Sequence, residues 1–389
     1  ASAQGALTRG AGRLGARDIA SHLPDHTALL EFVTGAHGSP TTVFILTSSA
    51  GGPLVRARVL PPADSLTGPI ARFLALVTRE SDVSAEARAL GTALLQPAAD
   101  LLGPEITRLV IVPDGVLHRV PWDALRLADG REAVERFAIG LAPSATIATV
   151  LRIEAKPQPS ARYGRVLAFG DPVFPTATDP GSESYQAAFA SAGGLPKLPG
   201  TGAEAKVVAA HGAADLLLGR EASEHRLKAV SLARYSVLHF ATHALVDERV
   251  AVHTALALTP GEGDDGFVTP GELGRLRLTA DLVVLSACRT AGGVVVDGEG
   301  MQGLTEPLLE AGARSVVATS WRVGDQRVVP LVERLYVGLA RGMPVVDALR
   351  AAKLEARRTG APPVAWAAFT VVGDPFATVA LRPFAPPER

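Results

Sequence analysis

Hydrophobic positions along the chain follow two rhythms. Over residues 26–60 they cluster into short β-branched and apolar runs. Thr27-Ala28-Leu29-Leu30-Glu31-Phe32-Val33 and Thr41-Thr42-Val43-Phe44-Ile45-Leu46 predict two strands, separated by a Gly/Ser/Pro turn, and Val55 to Leu60 predicts a third. Residues 65–102 predict helix, with Leu74, Val77, Leu90, Leu94 and Leu95 as core positions and Pro97 as a break. From residue 105 the rhythm changes. Apolar strand-sized runs at Arg108–Val112, Arg165–Phe169, Tyr235–Ala241, Asp281–Ala287, Ser315–Thr319 and Phe369–Val372 alternate with helical stretches at 201–211, 221–233, 300–312 and 326–341. That alternation predicts an α/β fold with a mostly parallel central sheet flanked by helices. The expected organisation is an N-terminal β-hairpin and helical segment, 1–104, packing on a core domain, 105–389. Asp171 to Gly200 and Thr259 to Gly266 read as surface loops, the first long enough to be functional or unstructured.

Composition narrows the classes. Lys and Arg number 38 against 39 Asp and Glu, so no charge excess argues for nucleic acid or an anionic membrane. No apolar run approaches the ~20 residues of a membrane span, and Ala1 to Gly15 lacks the apolar stretch of a secretory signal. A single cysteine excludes an internal disulfide and a Cys-rich zinc site, and fits a reducing compartment, so a cytoplasmic location is expected. No repeat of tens of residues is visible. The absence of an initiator Met suggests a trimmed fragment of a longer protein.

Two strand ends carry the chemistry. Val237-Leu238-His239-Phe240-Ala241-Thr242-His243-Ala244 and Asp281-Leu282-Val283-Val284-Leu285-Ser286-Ala287-Cys288 are apolar runs that each stop at a reactive residue. Cys288, the only cysteine, lies 45 positions after His243. A caspase-type nucleophile follows its histidine at about that distance. Ligands of an open parallel sheet sit beyond the carboxyl ends of its strands, where both residues are expected. A thiol is mostly protonated at neutral pH, so an adjacent imidazole would generate the attacking thiolate and later protonate the leaving amine. The backbone amides of Cys288 and Ala244 are the candidate oxyanion donors. Such chemistry needs no metal or other cofactor. Each residue alone has a structural reading, since free cysteine is commonly buried; the joint pattern favours catalysis.

The residues also resemble a known family. Leu198-Pro199-Gly200, Ala203-Glu204-Ala205, His239-Phe240-Ala241-Thr242-His243, Leu285-Ser286-Ala287-Cys288-Arg289-Thr290 and Gly298-Glu299-Gly300-Met301-Gln302-Gly303-Leu304 are similar to CHAT-domain proteins. These are caspase-like relatives of separase, often attached to tetratricopeptide repeats. Ala311-Gly312-Ala313, Ser320-Trp321 with Val323 and Asp325, and Trp366-Ala367-Ala368-Phe369 through Gly373-Asp374-Pro375 continue the resemblance. Val112-Pro113-Asp114-Gly115 and Val120-Pro121-Trp122 fit upstream, so it covers about residues 24–380. It implies a caspase-haemoglobinase fold and a His243/Cys288 dyad. Many relatives carry Gly where this chain has Ala244, a change of small consequence unless the position needs φ > 0. The implied partners are a protein substrate, and an activator protein or an upstream tetratricopeptide-repeat region.

In caspase-like folds the strand after the nucleophile pairs with substrate by strand addition. Here its end is Ala318 to Asp325. Asp325 resembles the acid with which separase-like enzymes accept a basic P1 side chain, whereas Ser320-Trp321-Arg322 resembles the run with which caspases hold an acidic one. Asp297 and Glu299 add negative charge, so three acids against Arg322 tilt the expected pocket towards Arg or Lys. Both surface loops are expected to order only on activation. Three rival readings exist. Gly298 to Gly303 satisfies the dinucleotide-binding pattern G-x-G-x-x-G if it opens a helix, with Asp325 at the ribose-binding distance. His239 and His243 could hold zinc only if helical. A CHAT fold could also serve as a non-catalytic scaffold or regulatory interaction module. His118, His211 and His225 are scattered, and are expected at the surface or the core edge.

Overall fold

The computed structural model describes residues 14–36, 38–49, 52–153, 165–175, 195–245, 254–287, 293–296, 300–379 and 381. Cys288, Asp297 and Glu299 lie outside the described residues, as does the side chain of Asp325.

The apolar runs become strands of one large sheet. They are β1 (Thr27–Val33), β2 (Pro40–Ser49), β3 (Gly52–Pro62), β4 (Arg108–Val112), β5 (Ala138–Leu141), β6 (Arg165–Gly170), β7 (Ala213–Leu218), β8 (Val237–Ala241), β12 (Leu282–Ser286), β15 (Ser315–Thr319) and β16 (Phe369–Gly373). A separate three-stranded sheet is formed by β9 (His243–Leu245), β10 (Ala255–Ala257) and β11 (Phe267–Val268), and a hairpin by β13 (Gly293–Val296) with β14 (Gly300–Gly303). Strand order in the large sheet is β3-β2-β1-β4-β5-β16-β15-β12-β8-β6-β7. β15, β12, β8, β6 and β7 run parallel, as do β1, β4, β5 and β16. The two blocks meet where β15 pairs antiparallel with β16. The predicted mostly parallel sheet is therefore present, with one reversal at its middle and antiparallel β2 and β3 at one end.

β8, β12 and β15 are buried at every position. Covered on both faces, such strands read as continuous apolar runs rather than alternating ones. One face carries the larger core, into which α1 (Ala63–Thr78), α4 (Asp325–Ala340) and α5 (Val345–Arg358) send Phe73, Val332 and Leu349. The other face packs a second core around Leu238, Val283 and Leu308. α2 (Pro199–Ala209) lies on the first face against β6, where Gly170 lets it approach: a Cβ there would stand 2.7 Å from the Thr201 carbonyl. α3 (Thr305–Glu310) belongs to the second face.

β1 pairs directly with β4, so β1, β2 and β3 extend the same sheet rather than forming a separate layer. Several expectations change. The predicted helix at 65–102 ends at Thr78 and resumes at Ser84; Pro97 sits inside the last helical turn, after a π turn over Gly91–Leu95, and does not end the segment. The helix expected over 300–312 is confined to Thr305–Glu310 because its first residues are a strand. The helix expected over 221–233 shrinks to Glu224–Ala229, capped by the Ser223 hydroxyl, which accepts from the Arg226 amide.

One buried ion pair ties α5 to the block of strands around β5. Lys353 Nζ donates to Asp123 at 2.7 Å, with the lysine 1 % exposed. Removing one partner strands a buried charge, whereas replacing both with apolar groups does not. Lys353→Met is expected to cost about 3 kcal/mol in urea denaturation, and the double substitution Lys353→Met with Asp123→Leu to recover most of that. Equal losses in the two proteins would contradict this.

Candidate active site

β8 and β12 are adjacent, parallel and in register from Leu282↔Val237 to Ser286↔Ala241. Their ends therefore stand level. His243 follows Ala241 by two residues, as Cys288 follows Ser286. Neighbouring strands lie ~4.8 Å apart, so the shared register brings the two chains out of the sheet side by side at Ala241 and Ser286. The structure describes this approach as far as Ala287. The Thr319 hydroxyl donates to the Ala287 carbonyl, tying the end of β12 to the end of β15.

Beyond β8 the chain leaves the large sheet. The Thr242 hydroxyl donates to the Ala257 carbonyl, and β9 turns away to pair antiparallel with β10, Ala257 opposite His243 and Leu256 opposite Ala244. His243 thus sits at the junction of two sheets, 5 % exposed. Its Nε2 lies 2.6 Å from the Pro196 carbonyl, and Phe174 lies against its ring, centroids 5.4 Å apart. A carbonyl only accepts, so Nε2 carries the proton. That tautomer makes Nδ1 the basic nitrogen. Ala244 is not among the described residues with positive φ, so its Cβ costs nothing in backbone strain there.

A cleft with about 90 Å³ of room opens where β8, β12 and β15 end. Leu198, Thr201 and Glu204 of the α2 region wall one side; Thr242, Ala287 and Thr319 form the floor; Arg322 and Gly324 close the other. Arg322 is exposed and lines this cleft, and Asp325 begins α4 beside it. Trp321 does not line it: its indole is 5 % exposed in the larger core and donates to the Val364 carbonyl at 2.9 Å, leaving no side-chain surface for a substrate. Ser320 faces a different cavity, and its amide already donates to the Ala368 carbonyl at 2.8 Å. The expected substrate-pairing segment is thus committed to β16 at Ser320, which leaves the backbone from Arg322 onward.

Glu204 is the residue that sequence reasoning passed over. It appeared only within a motif, yet its carboxylate lines the cleft while 1 % exposed. It accepts from His239 Nε2 at 3.0 Å, and the Tyr336 hydroxyl of α4 donates to His239 Nδ1 at 3.1 Å. Burial, reinforced by the Glu204 charge, holds the Tyr336 phenol well above its ordinary value, so it remains a donor. His239 is therefore a buried structural polar group. His239 and His243 are not on a helix, and among the described residues no cluster of three metal-ligating side chains occurs. The glycine pattern fails its condition too. Val294 pairs with Gln302 and Val296 with Gly300 in an antiparallel hairpin, so the motif does not open a helix and offers no helix N-terminus to a pyrophosphate.

Of the two loops expected to await activation, Thr259–Gly266 is already anchored. The Gly266 amide donates to Glu224, Lys228 bridges Asp264 and Glu272, and the Thr259 hydroxyl accepts from the Val173 amide at 2.9 Å. Residues 176–194 of the other loop lie outside the described residues.

The model of the CHAT domain matches residues 84–374. The mouse tetratricopeptide repeat protein 28 is 32 % identical over 110 residues, 28 % of this chain and 4 % of that protein's length, so the match covers a small part of that relative. Two structures of the Saccharomyces cerevisiae separase–securin complex share the fold. One has a TM-score of 0.56 at 11 % identity, covering 92 % of this chain and 31 % of that chain. The other has a TM-score of 0.58 at 11 % identity, covering 96 % and 30 %. The fold is the caspase-like one that the family resemblance implies. No helix among the described residues is long and apolar enough to cross a membrane.

His118 lies in the cavity that Ser320 faces, beside Trp122 and Thr370. Burial pushes its imidazole down from 6.5 to about 4, partly offset by Asp114. Between those values the unfolded chain binds a proton that the folded chain refuses. Stability is therefore expected to rise from pH 4 to pH 6.5 by on the order of 3 kcal/mol, and to level off above. His118→Asn should flatten that slope in denaturation curves taken at several pH values; an unchanged slope would contradict the assignment.

Proposed function

The chain belongs to the CHAT-domain family, and from that premise we propose that it is a caspase- and separase-like cysteine endopeptidase acting on protein substrates. The observation that carries the reading is the pairing of His243 with the Pro196 carbonyl at the level end of two registered strands. A base needs a fixed tautomer and a fixed ring plane, and the carbonyl supplies both.

Cys288 is the nucleophile in this reading. His243 Nδ1 takes the thiol proton as sulfur attacks the scissile carbonyl, so a C–S bond forms and the carbonyl π pair moves to oxygen. The Ala244 and Cys288 amides stabilise that oxyanion. When the intermediate collapses, the C–N bond breaks and His243 returns the proton to the leaving amine. Water, deprotonated by His243, then attacks the thioester and releases the acid and the thiol. Buried surroundings at His243 keep bulk water from competing for its hydrogen bonds.

The cleft beside Ala287 is the proposed P1 pocket. Asp325, Asp297 and Glu299 outnumber Arg322, and the Glu204 carboxylate adds to them, which favours Arg or Lys at P1. Thr201, Thr242 and Thr319 supply the neutral polar lining. An activator protein, or a repeat region of a longer chain, is the proposed regulatory partner. The β13–β14 hairpin speaks against a dinucleotide site.

A mixed-sequence peptide library read by mass spectrometry tests the proposal. The wild-type chain is expected to cleave after basic residues, and Cys288→Ala or His243→Ala to lose at least about 1,000-fold of that activity. Equal cleavage by wild type and Cys288→Ala would overturn the assignment, and preferential cleavage after Asp would overturn the pocket. A chain that neither cleaves nor reacts at Cys288 with a peptidyl electrophile would be a non-catalytic interaction module.

A further inference from the structure

Among the described residues no strand pairs with the outer side of β3 or of β7, and these two edges differ in character. At one end β7 is six residues long, and its Asp215 is bridged by Arg165 at 2.6 Å and by the Tyr235 hydroxyl. At the other end β3 runs for eleven residues, Gly52–Pro62, and residues 53–59 are all exposed. An exposed strand edge is a template for another strand.

The side chains of β3 divide by face. Register with β2 puts Arg56 beside Ile45 and Arg58 beside Val43, whereas Val55, Ala57 and Val59 share the opposite face with Leu46, Phe44 and Thr42. On that second face the helix Ala16–Ser21 packs at Leu46 and Glu31 stands opposite Phe44, and exposed apolar groups lie beyond them. Val59 is 72 % exposed, Val33 49 % and Phe44 38 %. Thr42 pairs with both Val33 and Val59, so these three positions form one row next to Phe44. The guanidinium groups of Arg56 and Arg58 donate to the Leu101 and Ala57 carbonyls, and neither meets a carboxylate among the described residues.

The edge sequence discriminates between occupants. Leu54-Val55-Arg56-Ala57-Arg58-Val59-Leu60 reads identically in both directions. A second copy added antiparallel about Ala57 would set Arg56 of each copy against Arg58 of the other, and like charges directly opposed disfavour pairing. A strand with carboxylates at those positions meets attraction instead, while its alternate residues fall on the Val55–Val59 face. We propose that β3 is a strand-addition edge for an extended segment of a partner protein in which acidic residues alternate with β-branched ones. This surface is independent of the cleft and of any peptidase activity.

The test uses the full chain and two fluorescent peptides, Thr-Val-Glu-Val-Glu-Val-Thr and the same peptide with Lys for Glu, titrated by anisotropy to about 1 mM. The Glu peptide is expected to bind, and the Lys peptide at least about ten-fold more weakly. The charge-reversed variant Arg56→Glu with Arg58→Glu, its fold verified by circular dichroism, should invert that preference. Amide exchange across residues 53–60 should slow on addition of the Glu peptide. No binding, or a preference that the variant does not invert, would overturn the proposal. So would charge-dependent binding without slowed exchange, which means surface adsorption. Self-association through β3 in sedimentation velocity would assign the edge to a second copy and overturn the partner proposed here.

Discussion

The parallel register of β8 with β12 is the constraint on which the rest of the site depends. Ala241 stands opposite Ser286, and every residue of both strands is buried. A slip of one residue would move each side chain to the other face, exchanging the two cores. Each buried Val or Leu there contributes about 1.5–3 kcal/mol, so such a slip would be costly. Fixed register in the middle of a sheet becomes fixed height at its end, where the proposed chemistry needs positional accuracy. The Thr319–Ala287 and Thr242–Ala257 hydrogen bonds then steer the two chains as they leave the ladder.

A second set of contacts fixes what approaches from the side. α2 carries Glu204, and the chain leading into it carries Pro196, whose carbonyl meets His243. Glu204 is held by His239 within β8, and His239 by Tyr336 of α4. Sheet, cleft wall and the helix that begins at Asp325 are thereby joined through three buried polar side chains. Each satisfies a neighbour that would otherwise be a buried group without a partner, which makes the connection strict. At the opposite end of the same strands, Arg314 spans Asp281 and Asp374, tying β12 to the end of β16.

Much of this was legible in the chain because largely buried strands leave a plain signal. β1, β4 and β15 match the predicted runs to the residue, since Leu, Val and Ile crowd them and turn residues bound them. β5, Ala138–Leu141, escaped because four residues containing Ala and Gly carry too little apolar weight. The 14-residue α5 was missed although Val345, Leu349 and Ala352 recur at helical spacing, because its Ala and Arg content masks the stripe. The helix expected from residue 300 failed for a different reason: glycine serves a β-hairpin as readily as a helix start. Within the site, reactive residue types at strand ends pointed to His243. Pro196 and Glu204 could not be found that way, since a carbonyl has no side-chain signature and a single Glu gives no sign that it will be buried.

The catalytic assignment rests on His243 acting on the thiol of Cys288. With one cysteine in the chain, intact-mass spectrometry counts its alkylation without ambiguity. The decisive measurement is the rate of iodoacetamide labelling at pH 7, where a free thiol is largely unreactive, for wild type and for His243→Ala. Labelling at least about ten-fold faster in the wild type is the result expected of a working dyad. Equal rates, with both proteins folded, would mean that His243 does not act on Cys288.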